Sequence, residues 1–340
     1  MRQLLSALVL AALVACGLSA CQEAEDRDLV VLLLPDEDGG ARWSAQDRPA
    51  FEAAVEASCA SCVVEVHQAA GSESTQRAQF ADALEQGADV IVLVSLTAEA
   101  GEMMVQDAGT TPVIAYDRFV AGADYFVTVD SAQVGTLQAR AVLAAAGPKP
   151  HVMMINGPAD DPNAALVKLA AHAVLEDSGA RILAEVDPVD GQTSTAQEWV
   201  TDQLAAMKGK RIDAVYAASD AQAGGVVAAF RADKRPLPVL TGQDADLEAL
   251  RRIVLGEQTM TVYRSVPDEA GAAARVAVRL IAGRKVGGTE PYEGVPSIIF
   301  DPVAVRLDNL TDTVVRDGAV GIEELCAGPV LATCESLGLA

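Results

Sequence analysis

The sequence predicts a doubly wound α/β protein folded as two lobes, on three observations. Short apolar runs recur along the chain, each followed by a segment of helical character, which is the signature of parallel strands with crossover helices. Most of these runs are uniformly apolar, as strands buried on both faces of a parallel sheet must be. Ten such runs in 340 residues exceed one comfortable sheet, so two sheets are expected.

The first run, 29–34, is a block of Leu and Val. A helix is expected behind it over 43–57, with Ser44 as N-cap, Asp47 three residues on, and Phe51, Ala54 and Val55 as its apolar stripe. Strands at 63–67, 89–94, 113–116 and 126–129 follow, with helices over 73–86, 97–107 and 131–146 between and after them. The second half repeats the pattern, with strands at 151–155, 181–186, 213–217, 238–241 and 259–262. Asp161 followed by Pro162 reads as an N-cap with proline in the first helical position. The helix behind it is expected to bury Leu166, Leu169, Ala170, Ala173 and Val174. Further helices are expected over 194–207, 221–232, 245–255 and 268–282. No long Gly/Ser or Pro linker divides the halves, which favours short crossovers between the lobes.

Composition narrows the function. With 25 Lys+Arg against 48 Asp+Glu the formal charge is −23, while 51% of residues are hydrophobic. Such a chain buries a large core, and it lacks the basic footprint that nucleic acid or an anionic membrane surface demands. At the N-terminus one basic residue precedes an apolar run over 4–14, about half of the ~20 residues needed to span a bilayer, so 1–20 reads as an export leader. Leu13-Val14-Ala15-Cys16 and Leu18-Ser19-Ala20-Cys21 both resemble the lipoprotein box, in which the Cys is acylated. Cys21 is favoured because the polar stretch 22–28 follows it as a tether; Cys16 and an ordinary cleaved leader are the alternatives. The bulk of the chain is therefore expected outside the cytoplasm, held to the membrane by lipid. In that compartment the four remaining cysteines are expected as two local disulfides, Cys59–Cys62 and Cys326–Cys334, with a redox-active C-x-x-C as the lesser reading of the first pair.

Catalytic motifs are absent. There is no G-x-G-x-x-G after the first strand, no Walker A loop, no G-x-S-x-G elbow and no H-E-x-x-H. His67, His151 and His172 lie far apart in sequence, and no metal site or cofactor is expected. Paired acids such as Asp160-Asp161 would suit a glycosidase only with an acid–base partner.

Ligands of open α/β sheets bind beyond the C-terminal strand ends. The polar residues there are Arg42 and Trp43, Asp117 and Arg118, Asp161 and Asn163, Gln192, Ser219 and Asp220, Asp244, and Arg264. Carboxylates and guanidinium forks bracket vicinal hydroxyls, and an indole face covers the C–H side of a sugar ring. The set suits a neutral polyhydroxylated ligand; taken singly, Asp161 and Asp244 could equally be helix caps.

The segments Arg42-Trp43, Ala115-Tyr116-Asp117-Arg118, Asp161-Pro162-Asn163, Thr241-Gly242-Gln243-Asp244-Ala245-Asp246 and Gln258-Thr259-Met260-Thr261-Val262-Tyr263 resemble the xylose-binding branch of the type I periplasmic sugar-binding proteins. The resemblance runs from about Leu29 to Gly318. It implies two doubly wound Rossmann-like lobes, 29–129 with 262–296 and 130–261 with 297–340, closing on one monosaccharide, a xylose-like pentose or hexose. It implies a monomer that docks on ABC permease subunits, with sugar sensing through a membrane receptor or histidine kinase as the alternative. Arg42, Trp43 and Arg118 would act from the first lobe, Asp161, Asn163 and Asp244 from the other. Three positions depart from the family: Gln192 stands where it has a second Trp, Asp220 where it has Asn, and Arg264 where it has Lys. The changed pairing groups imply a changed sugar, or the same sugar held differently.

Overall fold

A computed structural model describes residues 27–35, 42–159 and 161–339. The leader, Cys16, Cys21, most of the tether and Asp160 lie outside the described residues. The strands are β1 (Leu29–Leu34), β2 (Val63–Gln68), β3 (Val90–Leu93), β4 (Val113–Tyr116), β5 (Tyr125–Val129), β6 (His151–Ile155), β7 (Arg181–Val186), β8 (Ala214–Ala217), β9 (Val239–Leu240), β10 (Thr261–Tyr263), β11 (Glu290–Tyr292), β12 (Val295–Phe300) and β13 (Val303–Val305). The α-helices are α1 (Arg48–Ser58), α2 (Glu73–Glu85), α3 (Ala98–Asp107), α4 (Ser131–Ala146), α5 (Pro162–Ser178), α6 (Thr193–Ala206), α7 (Asp220–Ala232), α8 (Leu247–Val254), α9 (Val266–Ile281), α10 (Ile322–Leu325) and α11 (Leu331–Leu337).

Seven strands form the N-terminal sheet in the order β11-β12-β5-β4-β3-β1-β2, parallel except for the β11–β12 hairpin at its edge. Period-two alternation sends Val30, Leu32 and Leu34 to one face, against Phe51 and Val55 of α1 and the alanine-rich side of α9. Val31 and Leu33 face the other way, against Phe80 of α2 and Met104 of α3. The C-terminal sheet is parallel, β7-β6-β8-β9, with α4 and α5 on one face and α6 and α7 on the other. A β10–β13 pair extends this lobe through a bridge between Gln243 and Val262. In each sheet the order reverses beside the first strand of the lobe, which opens a crevice at the strand ends.

Ten of the strands lie close to their expected positions. The strands after 289 were not expected: β11 and β13 have three residues each, and proline occupies both members of the β11–β12 hairpin, at Pro291 and Pro296. They correct two lobe boundaries. A cut at 261/262 runs through β10, which pairs with β13, and a cut at 296/297 runs through β12, whose residues Ser297 to Phe300 pair with β5. The chain therefore crosses between lobes after Val129, after Tyr263 and after Phe300. The first and third crossings touch, with the Asp130 amide donating to the Phe300 carbonyl at 3.0 Å.

Two helices also differ from expectation. The segment 43–57 is not one helix: Trp43–Asp47 forms a π turn, α1 starts at Arg48, and Ser44 caps nothing. In α5, Val167, Ala171 and Leu175 are buried, whereas Leu166 is exposed and Leu169 is 70% exposed. The reason is the approach of α4. A Cβ on Gly135 would lie 2.0 Å from the Val167 carbonyl oxygen, so this face of α5 is pressed against α4 and the Leu166 face turns outward. Disulfides join Cys59 to Cys62 and Cys326 to Cys334, the second buried in the small core formed by α8, β10, β13 and the C-terminal helices. Among the described residues, no helix is long and apolar enough to cross a membrane.

Candidate functional site

The strand ends of both lobes meet in one cleft. From the N-terminal lobe, the residue after β4 is Asp117, which takes a left-handed backbone (φ 62°) and is 3% exposed. Non-glycine residues held in this region concentrate at functional sites. Asp117 Oδ1 receives two guanidinium groups, Arg42 Nη1 at 3.0 Å and Arg264 Nη2 at 2.9 Å. Its other oxygen accepts from Asn163 Nδ2 at 3.2 Å, and its carbonyl accepts from the same amide at 3.0 Å. Asn163 belongs to α5, so this contact joins the lobes. A second link does the same: Arg118 Nη2 donates to Asp161 Oδ2 at 2.8 Å. Asp161 also caps α5, its Oδ1 accepting from the Asn163 and Ala164 amides, so the cap and the cross-lobe role coexist in one carboxylate.

Arg42 sits at the floor of the cleft with its guanidinium carbon 4.3 Å from the centre of the Trp43 ring. Trp43 is 6% exposed and packs into the core, so one face of the indole is covered by arginine instead of being offered to a ligand. Beneath Arg42 lie two acids outside the expected site set: Asp47, expected only as a capping residue, and Glu269. Asp47 Oδ1 accepts from Arg42 Nη2 at 3.1 Å and from the Tyr116 hydroxyl at 2.5 Å. Glu269 of α9 lies 3.5 Å from Arg42 Nη2. Burial raises both carboxyls above their ordinary range, with Arg42 pulling the other way. Burial also opposes the charge of Arg42, but Asp117, Asp47 and Glu269 outweigh it and hold its pKa above the ordinary value.

The C-terminal lobe contributes the loop after β9. Asp244 (φ 102°) and Ala245 (φ 55°) both have positive φ. The loop is fixed by its backbone: the Asp244 amide donates to the Val262 carbonyl, the Val262 amide to the Gly242 carbonyl, and the Ala245 amide to Thr261 Oγ1. Burial and the neighbouring Asp246 carboxylate push the half-buried Asp244 up to about 6. Together with Arg42, Gln46, Arg264 and Val266, Asp244 lines a cavity of about 10 Å³, room for about one water. A larger guest requires the lobes to open and the arginines to exchange partners.

Three expected site residues are placed elsewhere. Asp220 is not at the cleft surface: it is 1% exposed and accepts from Gln258 Nε2 and Thr261 Oγ1, both at 2.8 Å, and from the Asp246 amide at 3.0 Å. It seats the Asp244 loop from below. A Cβ on Gly242 would lie 2.0 Å from Asp220 Oδ1, so only glycine lets the loop rest there. Ser219 caps α7 in a capping box with Gln222. Gln192 is an exposed residue at the start of α6, its amide bonded to Asp190 Oδ1. Gln46, Asp47 and Glu269 are the cleft residues that sequence reasoning missed. The signal for Asp47 was its spacing of five from Arg42, which a helix of ordinary pitch would have placed on another face.

Comparison with known proteins finds relatives over most of the chain. Residues 30–285 match the periplasmic binding protein domain family. The D-xylose-binding periplasmic protein of Escherichia coli (strain K12) is 33% identical over 289 residues, covering 82% of this chain and 86% of the relative. That of Haemophilus influenzae is 32% identical over 307 residues, covering 87% and 91%. Among solved structures, an ABC transporter solute-binding protein from Clostridium phytofermentans with bound β-D-glucose superposes with a TM-score of 0.77 at 25% identity, covering 87% of this chain and 99% of that one.

Proposed function

This chain belongs to the periplasmic binding protein domain family, and from that premise we propose how it works as a sugar receptor. It is an exported solute-binding protein of the ABC-importer class and not an enzyme. Its ligand is one neutral monosaccharide, xylose or a close relative, held between the lobes and released to the permease without chemical change. The observation that carries this reading is the convergence of charged strand-end residues from both lobes, with Arg118–Asp161 and Asn163–Asp117 meeting across the cleft. On opening, these groups exchange each other for sugar hydroxyls, which receive the same charge-assisted bonds. Arg42, Asp117, Arg118 and Arg264 act from one side, Asp161, Asn163 and Asp244 from the other. Hinge bending at the three crossings accommodates the change. The protein works as a monomer tethered through a lipid on Cys21.

Calorimetry of the purified protein with D-xylose, D-glucose, D-ribose and myo-inositol tests the ligand class. Binding of at least one below about 100 μM is expected, with a rise in melting temperature at millimolar sugar. No binding across the panel would refute it. Loss of membrane retention in Cys21→Ser tests the anchor.

A further inference from the structure

We infer that Asp47 and Glu269 are positioning residues for sugar binding: with the π turn Trp43–Asp47 they fix the Arg42 guanidinium at the floor of the cleft, without touching the sugar themselves. The inference rests on the sugar-receptor reading of the same cleft.

It begins with spacing. On an α-helix, residues five apart point about 140° away from each other. The π turn closes an i to i+5 bond, from the Arg48 amide to the Trp43 carbonyl, and widens this one stretch of helix. Arg42 and Asp47 thereby come to the same side, where Nη2 donates to Oδ1 at 3.1 Å and Nε lies 3.0 Å from Oδ2 as an ion-pair contact without a hydrogen bond. π turns of this kind recur at functional sites.

Burial then separates the roles. Asp47 and Glu269 are both fully buried, whereas Arg42 is partly exposed and lines the cleft cavity. A sugar in the cleft can reach the guanidinium and cannot reach the two acids. Each acid also sits where packing alone would select an apolar residue. Glu269 lies on the buried side of α9 among Ala270, Ala272, Ala273, Ala274, Val276 and Ala277. Among the described residues, neither Glu269 oxygen has a hydrogen-bond partner, and the one cation paired with it is Arg42. A buried carboxyl so poorly satisfied is costly, and its field on Arg42 is the compensation visible in the structure. The guanidinium is thus held on four sides: Asp47 and Glu269 below, Asp117 beside it, and the Trp43 ring against its face. Asp117 can trade its ion pair for a sugar hydroxyl because the other two acids keep Arg42 in place.

The test uses the purified protein carrying Trp199→Phe, which leaves Trp43 as the remaining indole of the two in the chain. Asp47→Asn and Glu269→Gln keep the shape of each side chain and remove its charge. Two readouts are taken: affinity for D-xylose and D-glucose by calorimetry, and Trp43 emission without sugar, which reports the guanidinium lying against the ring. Each variant is expected to weaken the bound sugar at least tenfold and to shift the emission. In an Arg42→Ala background the same changes should alter affinity less than twofold, because the residue they position is gone. Equal losses with and without Arg42, or unchanged emission and affinity in Glu269→Gln, would overturn the inference. If the parent binds neither sugar, the ligand reading is what fails, and the emission of the two variants still decides whether the acids hold Arg42. If Asp47→Asn does not fold, Glu269→Gln carries the test.

Discussion

The two walls of the cleft are built on opposite plans. The N-terminal wall is ionic: Arg42 and Arg264 converge on Asp117, with Asp47, Glu269 and Tyr116 packed beneath. The C-terminal wall is a backbone device: a loop with two successive positive-φ residues, hydrogen-bonded to β10 and seated on one buried carboxyl, presents Asp244. An ionic wall can exchange partners without changing its backbone. A strained loop holds one carboxylate in one place and has no alternative to offer. On the proposed reading of the cleft, adaptation to a guest belongs to the arginine side, and discrimination among hydroxyls to the Asp244 side.

Breaking the seat of the loop should have the largest effect. Asp220→Ala strands three donors, from Gln258, Thr261 and Asp246, in the interior. Unfolding free energy in urea should drop by about 3 kcal/mol, the upper end for leaving buried donors unsatisfied. A loss under ~1 kcal/mol would mean the loop holds itself. Gly242→Ala forces a methyl group onto Asp220 and should cost about 1–3 kcal/mol, as overpacking does, with sugar affinity falling in parallel. Asp244→Asn removes a carboxylate that burial disfavours, so it should not lower stability at neutral pH, and it should weaken sugar binding by at least about 1.5 kcal/mol, the low end for a charged hydrogen bond.

Asp244 also sharpens the comparison through pH. Its carboxyl titrates at about 6 in the fold against an ordinary 3.8. Between these values the folded protein takes up a proton that the unfolded chain does not, so this group's penalty on stability grows from pH 4 to 6 and is constant above. A sugar bound by the carboxylate needs the ionised form. Affinity should therefore fall as pH drops through 6 while this group's contribution to stability improves, and Asp244→Asn should flatten both trends in calorimetry and thermal melts. The smallest effect is expected from Arg118→Ala. Its partly exposed ion pair with Asp161 should be worth less than ~1 kcal/mol of stability, but its loss should widen the closed form in small-angle scattering without sugar. An unchanged scattering profile would remove the pair from the closure mechanism.

Much of the fold was legible because buried parallel strands such as β1 and β3 are unbroken apolar runs with helical segments between them. The β11–β12 hairpin was not, since a proline interrupts each strand and β11 has only three residues. The face of α5 was misread because Leu166 and Leu169 outscore Val167 and Ala171 in hydrophobicity, while the deciding fact, close approach at Gly135, lies in another helix. In the site, Arg42, Asp117, Arg118, Asp161, Asn163, Asp244 and Arg264 were readable as polar residues in the segments that follow strands. Asp220 follows a strand too, yet its side chain turns inward under the next loop, which strand-end position alone does not reveal. Asp47 and Glu269 were hidden for a related reason. An acid near a helix start reads as an ordinary first-turn charge, and only tertiary packing turns it toward a buried arginine.

The three crossings between lobes have a consequence for biogenesis. The N-terminal sheet lacks β12 until residue 300 has been made, and the C-terminal lobe lacks β13 until residue 305. Neither lobe is finished when the ribosome passes its midpoint, and a chain threaded outward from its N-terminus meets the same delay. Pairing of β12 with β5 closes a loop of about 170 residues, a contact of high sequence separation that slows folding. The long wait keeps both halves open during synthesis and locks them almost together once β12 and β13 have been made.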